Sequence, residues 1–143
     1  MMFPKKGLKK IKITTADKWF SKYIRVRDIV GGEFCRCITC KKPLHWKFEA
    51  QCGHFAKRGE PMTRFHEQNC HAQCAWCNGQ NEGEQATHGF AIDKMYGAGT
   101  AQKLIHLSKV RGQKPYEKMS LKEIANKYRE KFNKLVKEKG IFK

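Results

Sequence analysis

The sequence has little acid and no long apolar run. Against 30 lysines and arginines stand only 13 aspartates and glutamates, a formal net charge of +17 on 143 residues. An excess of that size on so short a chain points to a polyanionic partner, nucleic acid ahead of an acidic membrane. No stretch approaches the roughly 18 consecutive apolar residues of a spanning helix, so no membrane partner is expected. The opening MMFPKKGLKKIK carries positive charge without an apolar core. That is not the form of a secretion signal, and it points to the reducing cytoplasm. Seven cysteines, an odd number, are then expected as metal ligands or buried thiols rather than as a disulfide framework. The length suits one compact domain with a helical appendage and argues against a two-domain enzyme. There is no internal repeat.

The charge is unevenly placed. Residues 1–30 hold nine basic and two acidic side chains, residues 31–97 eight and seven, and residues 98–143 thirteen and four. A near-neutral centre holding every cysteine therefore sits between two basic flanks, an arrangement suited to clamping phosphates. The expected organisation is a basic N-terminal arm and helix over 1–32, a zinc-stabilised core over 33–97 and basic C-terminal helices over 98–143.

Apolar periodicity predicts the helices. Trp19, Tyr23, Val26 and Val30 form one stripe, with Phe20 and Ile24 beside it, between an N-cap at Thr14 or Thr15 and a stop at Gly31-Gly32. Between Glu33 and Phe55 the period breaks into short aromatic and β-branched pieces, read as strands and a hairpin. Residues 56–72 are polar, with Gly59 and Pro61, and read as a long loop. A loop of that length in a small domain is usually functional or pinned. Helical signals return with Phe90, Ile92, Met95 and Tyr96, then with Ala101, Leu104, Ile105 and Leu107. The last helix starts at a Ser120/Glu123 capping box, and its stripe runs Leu121, Ile124, Ala125, Tyr128, Phe132, Leu135, Val136.

Two Cys-x-x-Cys knuckles, Cys37/Cys40 and Cys74/Cys77, can close one tetrahedral structural zinc site. Cys35 offers a second register for the first knuckle, but the two-residue spacing favours Cys37. The 33 residues between the knuckles exceed the roughly 15 to 20 of a plain ribbon. They contain His45, His54, His66 and His71, together with Lys57, Arg58, Arg64, Glu67 and Asn69. This is the inventory a nuclease needs: a base for water, a hard cation at the scissile phosphate, and guanidinium or ammonium groups on the flanking phosphates. His54, in Cys-Gly-His-Phe, stands out because a hairpin strand should carry it opposite the second knuckle. His45, His66, His88 and His106 read as surface or hydrogen-bonded histidines.

At this point the pattern Gly53-His54-Phe55, Thr63-Arg64-Phe65, Asn69-Cys70-His71 and Gln73-Cys74-Ala75-Trp76-Cys77-Asn78 resembles the HNH, or ββα-metal, endonuclease motif. More narrowly it is similar to the lambdoid phage NinG (Rap) recombination-nuclease family, which Tyr96-Gly97 and the leucine-rich helix after it also fit. The order of knuckle, His, knuckle, Asn is shared with zinc-containing phage Holliday-junction resolvases. The resemblance implies an α+β fold with a small zinc-stabilised ββα-metal centre flanked by basic helices. His54 matches the family's general base. Asn69 matches the central Asn that ties the hairpin loop through backbone hydrogen bonds, a role its amide suits. Asn78 matches the last motif position, offering an oxygen to a catalytic Mg²⁺ or Mn²⁺. Many family members carry Asp directly before the first His; here that position is Gly53, and His71 or Glu67 is the expected replacement ligand. Arg64 is expected either to clamp a phosphate or to pair with Glu67.

The function this implies is metal-assisted cutting of branched DNA such as Holliday junctions, D-loops and flaps. Lys9, Lys10, Lys57, Arg58 and Arg64 are the expected DNA contacts. Two symmetric cuts would favour a homodimer, although the apolar stripes serve equally well as intramolecular core. The alternative is a zinc-containing nucleic-acid-binding adapter without chemistry.

Overall fold

The computed structural model describes residues 11–80, 84–113 and 115–141. Lys9 and Lys10 lie outside the described residues. The protein is α+β, with two small antiparallel sheets and, among the described residues, four α-helices.

Helix α1 (Thr15–Arg27) begins with a capping box. Thr14 accepts from the Asp17 N–H, and the Asp17 carboxylate accepts from the Thr14 N–H at 2.8 Å. The helix stops three residues before the expected Val30, because Asp28 is drawn into tertiary contacts. Its carboxylate accepts from Arg27 Nε and from the Ala72 N–H, both at 2.8 Å. Val30 instead lies in strand β1 (Ile29–Gly31), 72% exposed, while Val26 of the predicted stripe shares the deepest positions with Phe20 and Ile24. Gly32 turns the chain at φ +57 into β2 (Phe34–Arg36), which pairs with β3 (Pro43–His45) in the register Cys35↔Leu44. The β2–β3 connection is the first knuckle.

The second sheet is a hairpin of β4 (Gln51–His54) and β5 (Cys70–Gln73), with Gly53 opposite His71 and His54 opposite Cys70. Residues 70–72, expected as loop, are thus strand. Every residue of β5 is buried, so the strand shows none of the polar alternation that marks a half-exposed one. The excursion between β4 and β5 is pinned by Asn69, which is 0% exposed. Its Oδ1 accepts from the Ala56 N–H (2.8 Å), and its Nδ2 donates to the carbonyls of Ala56 (2.9 Å) and Thr63 (3.2 Å).

Three helices follow: α2 (Gln85–Tyr96), α3 (Thr100–Ser108) and α4 (Leu121–Lys139). In α2 the buried face is His88, Gly89 and Ile92, while Phe90 and Met95 point outward. Gly89 allows a close approach there, since a Cβ would lie 3.0 Å from the Phe55 ring. The amphipathic α4 packs on α1 through Trp19–Phe132 and an edge-on Phe20–Tyr128 pair with centroids 4.8 Å apart. Its predicted stripe is buried from Ile124 to Val136, whereas Leu121, in the first turn, is exposed. This packing sets α1 beside the β4–β5 hairpin, and the candidate site lies between them.

Candidate functional site

The Sγ atoms of Cys37, Cys40, Cys74 and Cys77 lie within 4.8 Å of one another. Four thiolates about 2.3 Å from a tetrahedral zinc sit about 3.8 Å apart; Cys40 and Cys74 are 3.8 Å apart. Cys74 N–H and Cys77 N–H donate to the sulfurs of Cys37 and Cys74 at 3.4 Å, and the Thr39 hydroxyl lies 3.2 Å from Cys37 Sγ. Burial pushes the Cys37 thiol up, but the hydrogen bonds from Thr39 and from backbone N–H groups outweigh it and bring its pKa down to about 6. This donor set is suited to a structural zinc. Cys35 is excluded from it: its thiol donates to the Leu44 carbonyl inside the core.

Beside this centre, α1 and the hairpin enclose a cleft of about 550 Å³. His54, at the end of β4, lines it. Its Nε2 lies 3.0 Å from the Arg64 carbonyl. A carbonyl can only accept, so Nε2 carries the proton and Nδ1 keeps the lone pair. Burial, with Arg58 nearby, lowers the imidazole pKa to about 4 against the opposing pull of the Arg64 carbonyl and Asp17. His54 is therefore a neutral, orientated imidazole throughout the neutral range. Asn78, on the π-helical turn Trp76–Gln80 after the second knuckle, lines the same cleft, and its Nδ2 donates to Gln51 Oε1 at 2.9 Å, leaving its Oδ1 for another partner. Arg58 also faces the cleft, while Lys57 is exposed outside it.

Two expected participants are elsewhere. His71 lies one residue on from Cys70, and neighbouring side chains of a strand point to opposite faces, so it turns away from His54. It is 1% exposed, with its ring nitrogens 3.0 Å from His88 Nε2 and from the Tyr96 hydroxyl. Its role is packing of α2 on the hairpin, and it does not reach Asn78's side of the cleft. Arg64 spends its guanidinium fork on Asp17, with Nε–Oδ1 at 2.9 Å and Nη2–Oδ2 at 2.5 Å, and on the Lys12 carbonyl at 2.9 Å. With 13% of that side chain exposed, it serves as an internal tie rather than a phosphate clamp, and only its carbonyl touches His54. Glu67 is also engaged, by Tyr23, Tyr128 and Lys131, so it neither pairs with Arg64 nor enters the cleft.

Gly53 has a steric cause. A Cβ there would lie 1.8 Å from Gln73 Oε1 and 2.6 Å from its Cδ. The Gln73 side chain, held by the Thr39 hydroxyl at 3.3 Å, fills the space an aspartate would use. Among the described residues, the only carboxylate lining the cleft is Asp17, already bound to Arg64. Sequence reasoning missed the contribution of α1, whose Lys18, Lys22 and Arg25 supply the cleft's positive wall. Their 3- and 4-residue spacing on the helix's polar face was the available signal. No helix among the described residues is long and apolar enough to cross a membrane.

No curated protein and no solved structure matches the chain significantly. The family model of the bacteriophage lambda NinG protein matches residues 4–138, nearly the whole chain, and the chain belongs to that family.

Proposed function

We propose that the protein is a structure-specific DNA endonuclease that hydrolyses phosphodiester bonds in branched recombination or replication intermediates: Holliday junctions, D-loops and flaps. The observation that carries the proposal is His54, a neutral imidazole whose Nε2 is tied to a backbone carbonyl and which lines a cleft walled by cations. In this reading the zinc-stabilised centre is of the ββα-metal type. Nδ1 takes a proton from water, the oxygen attacks phosphorus, and the bond to one bridging ester oxygen breaks, leaving a phosphate monoester and a hydroxyl. Arg58, Lys22 and Arg25 hold the flanking phosphates. Contacts of this kind give affinity without base reading, so DNA shape is the natural target. Structural Zn²⁺ sits on the four cysteines.

The donor set for a catalytic Mg²⁺ or Mn²⁺ is sparse: the Asn78 amide oxygen, with the remaining positions left to DNA phosphates and water. When bound there, such an ion would offset charge developing on the phosphate. Among the described residues the one carboxylate lining the cleft, Asp17, is spent on Arg64, which favours the second reading, a zinc-containing nucleic-acid-binding adapter. Incubating the protein with labelled four-way, three-way, flap and linear duplex DNA, with and without Mg²⁺, separates the two. Cleavage of branched substrates in preference to duplex is expected; binding with no cleavage of any substrate would leave the adapter.

A further inference from the structure

Two cysteines beside His54 have a chemistry that phosphate hydrolysis does not use. Cys52 and His54 alternate with Gly53 along β4, and His54 stands directly opposite Cys70 on β5. The side-chain period of two therefore puts all three on one face of the hairpin. One ligand atom from each lies within 4.8 Å of the other two. Two sulfurs and an imidazole nitrogen at such distances form the donor set of a three-ligand zinc site with an open fourth position. None of the three belongs to the Cys37/Cys40/Cys74/Cys77 centre. Cys52 and His54 line the cleft, and Cys70 beside them is buried at 0% exposure.

We propose that Cys52, His54 and Cys70 form a second metal site, selective for soft divalent ions of the zinc class, that takes the base of the proposed nuclease out of service when filled. The inhibitory half rests on the function proposed above; the binding half does not. Binding two thiols and a neutral imidazole to M²⁺ releases two protons and gives a complex of zero net charge. That cancellation limits the desolvation penalty in a half-enclosed cleft. Metal-free, burial and the neighbouring Cys52 hold the Cys70 thiol well above the ordinary range. Mg²⁺ prefers oxygen ligands and does not compete for it. The lone pair that would accept water's proton is the one the soft ion takes. The ion's fourth position opens towards the cleft, where a water or a DNA phosphate oxygen can fill it.

The test counts metal on the full chain under a thiol-free reductant. Wild-type protein equilibrated with excess Zn²⁺ and desalted is expected to retain two ions per chain, and the Cys52→Ser/Cys70→Ser variant one. Co²⁺ substitution adds a second readout, because sulfur-to-cobalt charge-transfer absorption should fall in the variant. Retention of the first zinc shows that the variant is folded; if the double variant loses it as well, Cys52→Ser alone, at the half-buried position, replaces it. One zinc per wild-type chain overturns the site, as does a second zinc that persists without these cysteines, or a mass 2 Da low showing them joined as a disulfide. Micromolar excess Zn²⁺ should slow Mg²⁺-dependent cleavage at least tenfold in wild type, and less in the variant relative to its own zinc-free rate. Cleavage with only one zinc bound defeats this site alone. Two zincs with no cleavage of any DNA defeats the nuclease reading alone.

Discussion

Removing Asn69's amide tests the claim that one side chain holds the excursion carrying Arg64 against His54. Asn69→Ala deletes three hydrogen bonds to backbone and leaves the Ala56 N–H and the Ala56 carbonyl without partners inside a fully buried pocket, while the Thr63 carbonyl keeps the His66 N–H. Each buried group left unsatisfied costs about 1–3 kcal/mol. Allowing for partial relaxation, the variant should lose about 3–5 kcal/mol, a large share of the total stability of a small domain. Asn69→Asp is the sharper probe because it keeps the shape. One carboxylate oxygen can still accept from Ala56 N–H, but the other faces two carbonyls, so the folded state favours the protonated acid. A folded-state pKa above the unfolded value means that the variant's relative stability is greatest at low pH and is lost as pH rises through the folded pKa. Urea unfolding of wild type and both variants between pH 5 and 8, with zinc saturating, measures this as a difference from wild type at each pH. A loss below about 1 kcal/mol for Asn69→Ala, or an Asp variant whose deficit does not grow with pH, would refute the pinning role.

Three further outcomes follow from the same geometry. Arg64→Ala removes the ionic partner of Asp17 in the first turn of α1 and should cost about 3 kcal/mol, as breaking a buried pair does. Asp17's pKa is depressed because hydrogen bonds from Arg64 and Thr14 outweigh burial, so the pair's contribution is present above the unfolded carboxylate pKa and fades as pH falls through the folded value; an Arg64→Ala deficit that stays constant down to pH 3 would contradict the pairing. His71 and His88 are held neutral by burial, each with a pKa of about 3, so the unfolded chain takes up two more protons below about pH 6.5. The pair's contribution should be full above that pH and fall by about 5 kcal/mol on acidification to pH 4.5, with buried His54 adding to the loss, whereas urea midpoints that are flat between pH 7 and 4.5 would exclude a neutral pair. Gly53→Ala should destabilise by about 1–3 kcal/mol through its clash with Gln73, and Gln73→Ala should relieve that penalty in the double variant; additive losses would exclude the steric explanation.

The sequence revealed those features that are local or fixed by coordination chemistry. The Cys-x-x-Cys spacing identified the four clustered sulfurs, the Thr14 and Ser120 caps located helix starts, and the α4 stripe identified its buried face. Asn69's backbone bonds came from the motif. What the sequence did not reveal depends on pairings between distant residues. The face His71 takes is set by the register Gly53↔His71, which no local pattern reports. Arg64's partner is 47 positions away in α1, beyond a local pattern that offered only a phosphate or the nearby Glu67. The early end of α1 has the same origin, since Asp28 is occupied by the Ala72 N–H on β5. Cys52 and Cys70 had no evident role in the sequence because only the hairpin puts them on one face with His54.

The most direct test of the proposed mechanism is single-turnover cleavage of a labelled four-way junction at pH 7.5 in Mg²⁺, comparing wild type with His54→Ala while binding is measured in parallel. A positioned general base contributes about 10²–10⁴-fold. The account predicts a cleavage loss in that range with junction affinity retained. Cleavage at the wild-type rate by His54→Ala, or no cleavage by wild type with tight binding intact, would contradict it.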